Sequence, residues 1–224
     1  AKGASMPKKI AVILSGCGYL DGSEIHESVL TLTALDAHQA EVAIFAPNQN
    51  QFHVVNHMIG DECDDERNIL EESSRIARGN IKNLDKLNAR DFDGIIFPGG
   101  FGVVKNLCNW AYQGSECIID TKVEEVIKNF YELKKPIAAI CIAPALIATV
   151  LGKQKIRVTI GNDEITSKEI EKTGAEHEVK EVHEICIDKP HKIITTPGYM
   201  YDQAKLDKIY EGISSCVKAL LELS

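Results

Sequence analysis

The sequence predicts an α/β domain built on a mostly parallel sheet with helices on both faces. Short apolar runs alternate with segments of helical periodicity from Lys9 to about Gly152, and several of the runs stop at glycine-rich turns. Runs of this length read as strands buried on both faces, and their alternation with helices implies right-handed parallel crossovers. Further on, Glu184–Asp188 and Lys192–Thr196, separated by Lys189-Pro-His191, read as a β-hairpin.

The elements follow in order. Lys9–Leu14 is a strand that stops at Ser15-Gly-Cys-Gly18, and a helix runs from about Ser23 to Ala37 with Ile25, Val29 and Leu32 at helical spacing. Glu41–Phe45 is the second strand, closed by Ala46-Pro47-Asn48. Residues 48–90 are more polar and hold a helix near Glu66–Arg78, marked by Ile69, Leu70 and Ile76. Asp93–Phe97 is the third strand and ends in Pro98-Gly-Gly-Phe-Gly102; a helix near Lys122–Lys134 leads into the fourth, Pro136–Ile140. After Gly152 come a short strand, Ile156–Ile160, and a helix, Ile165–Thr173, that Gly174 can end. The last segment, Gln203–Leu223, is helical, with Leu206, Ile209, Ile213, Val217 and Leu220 as its apolar stripe. With no repeat or linker, residues 8–224 read as one domain. Residues 1–7 read as an expression remnant or a disordered N-terminus, or as what a processed targeting peptide leaves behind.

Composition bounds the function. The chain has 224 residues, enough to bury a core without disulfides or metals, and its 44% hydrophobic and 26% charged content is that of a soluble globular protein. A formal charge of −8 disfavours sequence-independent binding to nucleic acid or an anionic membrane. Seven cysteines without a Cys-x-x-Cys pair point to free thiols in a reducing compartment. No apolar run approaches the ~20 residues of a membrane span, and AKGASMPKK lacks a signal-peptide core. The expected location is cytoplasmic.

In an open parallel sheet, ligands bind beyond the carboxyl ends of the strands. Three such ends are chemically distinctive: Ser15-Gly-Cys-Gly18, Pro98-Gly-Gly-Phe-Gly102 and Cys141-Ile-Ala-Pro144. Pro144 suits the first turn of a helix, so Cys141 falls at a strand-to-helix junction, where the helix N-terminus favours thiolate. A buried structural cysteine is the competing reading. Gly99-Gly100 can let backbone N–H groups form an oxyanion hole, or can simply make a tight turn. Glu24 opens the first helix; Asp21-x-x-Glu24 has the spacing of a capping box, yet a carboxylate there would face the same crevice as Cys141 and could shuttle a proton. Gly16-x-Gly18 lacks the third glycine of a dinucleotide fingerprint, because Asp21 stands in its place. His53 and His57 are four apart without further ligands, His26 reads as exposed or locally bonded, and Arg67, Arg75 and Arg78 read as a solvated helix face.

Taken together, Ser15-Gly-Cys-Gly18, Asp21-Gly-Ser-Glu-Ile-His-Glu27, Arg67-Asn68, Arg75-Ile-Ala-Arg-Gly79 and Phe97-Pro-Gly-Gly-Phe-Gly102 form an ordered set. Lys105-Asn106, Gly114-Ser-Glu-Cys117, Cys141-Ile-Ala-Pro144 and Thr195-Thr-Pro197 extend it. From about Lys8 to Leu223 this set resembles the ElbB-like glyoxalase family, whose members have been called sigma cross-reacting proteins and linked to isoprenoid biosynthesis. That family lies in the class I glutamine-amidotransferase-like superfamily with the Parkinson-associated deglycase.

The resemblance implies a flavodoxin-like three-layer sandwich and, by superfamily habit, a homodimer. It also implies that Cys141 is the nucleophile, Glu24 its acidic partner, and Gly99, Gly100 and Ile142 the oxyanion and substrate-binding positions. The amidotransferase triad is incomplete: Thr195-Thr-Pro-Gly-Tyr199 carries no histidine, and Ile142 stands where a histidine would follow the cysteine. The implied activity is glutathione-independent glyoxalase chemistry on glyoxal or a similar small 2-oxoaldehyde, with no metal or other cofactor. Repair of early glycation adducts uses the same residues; a cysteine redox sensor, a chaperone-like protein and an inactive scaffold are the rival classes.

Overall fold

The computed structural model describes residues 6–224, so the expectation for residues 1–7 falls mainly on 1–5, outside the described residues. The elements run β1 (Lys9–Ile13), α1 (Ile25–Ala37), β2 (Glu41–Ala46), β3 (Val54–Asn56), β4 (Asp61–Cys63), α2 (Ile69–Ile76) and β5 (Lys82–Asn83). Next come β6 (Gly94–Phe97), α3 (Phe101–Lys105), α4 (Trp110–Gln113), α5 (Thr121–Glu132), β7 (Ile137–Ile140) and α6 (Ala143–Leu151). Last are β8 (Arg157–Val158), α7 (Glu164–Glu171), β9 (Glu176–His177), β10 (Cys186–Asp188), β11 (Ile193–Thr196) and α8 (Leu206–Leu223).

Seven strands form one sheet in the order β10-β11-β7-β6-β1-β2-β5. Every pairing is parallel except β10 with β11, the predicted hairpin. Alternation along the strands explains the continuous apolar runs. In β1, Ala11 and Ile13 enter one core while Ile10 and Val12 enter the other, and all four are buried. Each core is closed by helices. On one face α5 contributes Val123, Val126, Ile127 and Phe130, with Asp120 capping its start by accepting the Lys122 and Val123 N–H groups at 3.0 Å. On the other, α8 contributes Ile209, Ile213, Cys216, Val217 and Leu220. This is the flavodoxin-like sandwich.

Three local expectations change. The polar stretch 48–90 contains an antiparallel hairpin, β3 with β4. The strand expected over Ile156–Ile160 narrows to two residues paired with β9, outside the main sheet. In α1, Ile25 and Val29 are 42% and 46% exposed, while Glu27, Ser28, Thr31, Ala34 and Leu35 face inward. The apolar stripe read from the sequence is therefore not the buried face of that helix.

The chain runs from β1 to β2 on one side and returns to β6 on the other, so the strand order reverses between β1 and β6. The loops after β1, β6, β7 and β11 meet there, at the crevice where such sheets bind ligands.

Candidate active site

Cys141 directly follows β7 and has φ +65°, a left-handed conformation that an L-residue adopts at a cost of about 1–3 kcal/mol. Its N–H donates to the Thr196 carbonyl at 3.0 Å, which ties the turn to the end of β11. The residue is 7% exposed, and Pro144 stands in the first turn of α6, as its sequence position predicts. The N–H groups of Gly100 and Ile142 converge on the sulfur.

The carboxylate beside that sulfur belongs to Glu27. Glu24 is the N-cap of α1, and its Oε2 accepts the Glu27 N–H at 2.6 Å. The role expected of Glu24 at Cys141 is thus corrected. A cap carboxylate folds back over the first turn to satisfy an orphan N–H, whereas Glu27 lies within that turn on the inward face. Glu27 is fully buried; its Oε1 accepts the Gly99 N–H at 3.1 Å, its Oε2 accepts the Tyr199 N–H at 2.9 Å, and its carboxyl lies close enough to the Cys141 thiol for each to shift the other's ionisation. The capping box is not formed either, because Asp21 accepts the Val55 N–H at 2.9 Å.

Gly99 also departs from expectation, since Glu27 already holds its N–H. The oxyanion donors available at the sulfur are Gly100 and Ile142. Gly99 matters instead through its missing side chain: a Cβ there would stand 2.5 Å from the Cys141 Cβ and 2.8 Å from the Ile140 carbonyl oxygen. At Gly198, with φ +51°, a Cβ would come within 2.6 Å of Glu27 Oε2. Both glycines make room for the pair.

Electrostatics couple the two groups. Burial, then the charge of Glu24, pushes the Glu27 carboxyl up to about 8, against the pull of the Tyr199 and Gly99 N–H groups and of Cys141. Burial, then the Glu27 charge, drives the Cys141 thiol well above its ordinary value, and the Ile142 and Gly100 N–H groups oppose this. The helix N-terminus therefore does not by itself hold a thiolate, as its position suggested. Both shifts resist double ionisation, so near neutrality the carboxyl as well as the thiol largely keeps its proton.

Sequence reasoning missed Glu27 and Tyr199. The signal for Glu27 was a carboxylate three residues past a capping residue; for Tyr199 there was none, because its contribution is a backbone N–H. His26 is exposed and bonds far along the chain: its Nδ1 lies 2.7 Å from the Tyr199 hydroxyl, at the rim of the site. His57 Nε2 accepts the Leu20 N–H at 3.1 Å, and His53 Nε2 lies 3.0 Å from Lys105 Nζ. Arg67 and Arg75 both reach Glu72, which makes them part of an ion-paired surface. Among the described residues no group of three or more His, Cys, Asp or Glu side chains could hold a metal ion, and no helix is long and apolar enough to cross a membrane. A polar cleft of about 250 Å³ at the ends of β2 and β5, lined by Asn48, Asn83, Asp85, Asp120 and Lys122, contains no cysteine.

Comparison with known proteins agrees with this fold. The profile of the DJ-1/PfpI family matches residues 17–200. The chain is 44% identical to the human protein "Glutamine amidotransferase-like class 1 domain-containing protein 3, mitochondrial", over 96% of its own length and 83% of that protein. It is 43% identical to the rat "ES1 protein homolog, mitochondrial", over 96% and 84% of the two chains. The crystal structure of an isoprenoid biosynthesis protein with amidotransferase-like domain from Ehrlichia chaffeensis superposes with a TM-score of 0.90 at 36% identity, over 96% of this chain and 99% of that one.

Proposed function

The chain belongs to the DJ-1/PfpI family, and from that premise we propose that it is a cofactor-independent glyoxalase with Cys141 as nucleophile and Glu27 as acid–base group. The observation that carries the reading is the buried Glu27 carboxyl set beside the Cys141 thiol, with two backbone N–H groups aimed at the sulfur. A thiol beside a protonated carboxyl suits addition to an aldehyde, which needs a sulfur nucleophile and a proton donor at once.

Once the pair has lost one proton to solvent, the Cys141 thiolate adds to one carbonyl carbon of glyoxal, and the new alkoxide takes the Glu27 proton to give a hemithioacetal. The Gly100 and Ile142 N–H groups stabilise the developing oxyanion. Glu27, now ionised, removes the proton from the sulfur-bearing carbon and delivers it to the neighbouring carbon while the hydroxyl proton passes to the neighbouring oxygen, which leaves a thioester. Water cleaves the thioester, frees Cys141 and releases glycolate; a longer 2-oxoaldehyde gives the homologous 2-hydroxy acid.

Glyoxal incubated with chelator-treated protein tests the reading, with glycolate followed by chromatography. Turnover that depends on Cys141 supports it, and a Cys141→Ala protein as active as wild type would exclude it. Preformed glycation adducts supplied with an aldehyde scavenger separate the deglycase alternative: product formation under those conditions would favour adduct hydrolysis. Relatives whose names carry the word mitochondrial favour an organellar compartment for this reading, and fractionation tests it against the cytoplasm. Homodimerisation belongs to the same reading and is tested by light scattering.

A further inference from the structure

Two cysteines outside the Cys141 network meet each other. Cys108 follows α3, Cys117 precedes α5, and the chain between them closes into a loop. Cys108 pairs with Ile119 in an antiparallel bridge, flanked by the Asn109 N–H donating to the Ile118 carbonyl at 3.2 Å and the Asp120 N–H donating to the Leu107 carbonyl at 2.9 Å. That register sets Cys117 diagonally opposite Cys108, within reach for side chains across a strand pair. The two thiols are close enough for each to shift the other's ionisation, and both are free.

Their surroundings differ. Cys108 is 6% exposed within the apolar cluster under α5 and α6, with the Val103 carbonyl 3.4 Å from its sulfur. Cys117 lies at the edge of that cluster, half-buried, with the Thr149 hydroxyl 3.9 Å away. Glu169 fixes the loop by accepting the Ser115 N–H and hydroxyl, each at 2.9 Å. The Cys108 thiol beside it holds Cys117 down to about 7, while Cys117 and burial push Cys108 up. The accessible sulfur is thus the one richer in thiolate, and the enclosed one keeps its proton.

We propose that Cys108 and Cys117 form a peroxide-responsive dithiol site, with Cys117 as the attacking thiol and Cys108 as the resolving one. The Cys117 thiolate attacks one oxygen of hydrogen peroxide; an S–O bond forms, the O–O bond breaks, and the departing hydroxide takes up a proton to become water. The resulting sulfenic acid is attacked by the Cys108 sulfur: the S–S bond forms, the S–O bond breaks, and the hydroxyl leaves with the Cys108 proton as a second water. Two thiols are oxidised by two electrons, and one peroxide is reduced to two waters. A small external thiol reverses the link by exchange.

The sequence makes the test direct, because no lysine or arginine lies between Lys105 and Lys122, and trypsin leaves both cysteines on the 106–122 peptide. Wild-type protein is treated with hydrogen peroxide, its free thiols are alkylated, and the digest is mapped without reduction. The expected result is a 106–122 peptide that is two hydrogens lighter, carries no alkyl group and reverts with thiol, in wild type and in Cys141→Ala alike. In Cys108→Ser, a cyclic 1,3-dione should trap sulfenic acid at Cys117. The proposal is overturned if both cysteines stay alkylatable while other thiols oxidise, or if Cys117 proceeds to sulfinic acid in wild type without forming the link.

Discussion

The Glu27 carboxyl lies beside the Cys141 thiol from the first turn of α1, and both groups are removed from solvent. Burial raises Glu27 from its ordinary value of 4.5 to about 8, so the native state binds a proton that the unfolded chain has already released across that interval. The stability this proton supplies is complete below about 4.5 and is lost as pH rises toward about 8. The melting temperature of wild type should therefore fall between about pH 5 and pH 8 relative to Glu27→Gln, which has no such proton to lose. Parallel curves for the two proteins across that range would contradict the assignment.

Gly99 supplies space as well as an N–H. A Cβ added there would press on the Cys141 Cβ and the Ile140 carbonyl oxygen, neither of which can swing aside. Gly99→Ala should cost about 1–3 kcal/mol in urea unfolding, the range for overpacking a core, and should slow alkylation or turnover at Cys141. Unchanged stability together with unchanged Cys141 reactivity would show that the loop after β6 is not packed as described.

Tyr199 contributes its backbone N–H to Glu27, and its phenol lies 2.7 Å from His26 Nδ1 at the rim. Tyr199→Phe should keep the Glu27 hydrogen bond and hence the high carboxyl pKa, which a carboxyl infrared band followed against pH can read. If the Glu27 titration moved toward ordinary carboxylate values, the phenol would hold more of the site than the His26 contact implies.

Glu24 is a helix cap, with its carboxylate on the Glu27 N–H. Glu24→Ala should destabilise the protein by about 0.5–2 kcal/mol, as removal of a side-chain cap does. Glu24→Gln, which retains an acceptor oxygen, should recover much of that loss in denaturant unfolding. Equal losses for both variants would point to the charge rather than the cap.

Legibility in the sequence followed burial. The strands β1, β2, β6 and β7 fall within a residue or two of the apolar runs, because strands covered on both faces must be apolar throughout. The hairpin of β3 and β4 was not legible: Asp61 and Glu62 are exposed, and three-residue strands leave no period to read. Cys141 was legible because a strand end, a small-residue turn and Pro144 mark the junction. Its partner was hidden by the rule that locates helix faces. Ile25 and Val29 suggested the inward side of α1, but that helix turns Glu27, Ser28 and Thr31 inward, and a functional carboxylate there breaks the apolar pattern. The N–H groups of Gly100, Ile142 and Tyr199 belong to backbone conformation, which residue identity specifies only loosely.

Glycolate formation from glyoxal by Glu27→Gln and Glu24→Gln, measured side by side as kcat/KM with wild type, tests the central claim most directly. Loss of a positioned acid–base group predicts a fall of about 100-fold or more for Glu27→Gln. Glu24→Gln, which keeps an acceptor at the cap and removes only a charge that raises Glu27, should stay within about tenfold of wild type. Turnover that survives in Glu27→Gln and collapses in Glu24→Gln would contradict the pairing of Glu27 with Cys141.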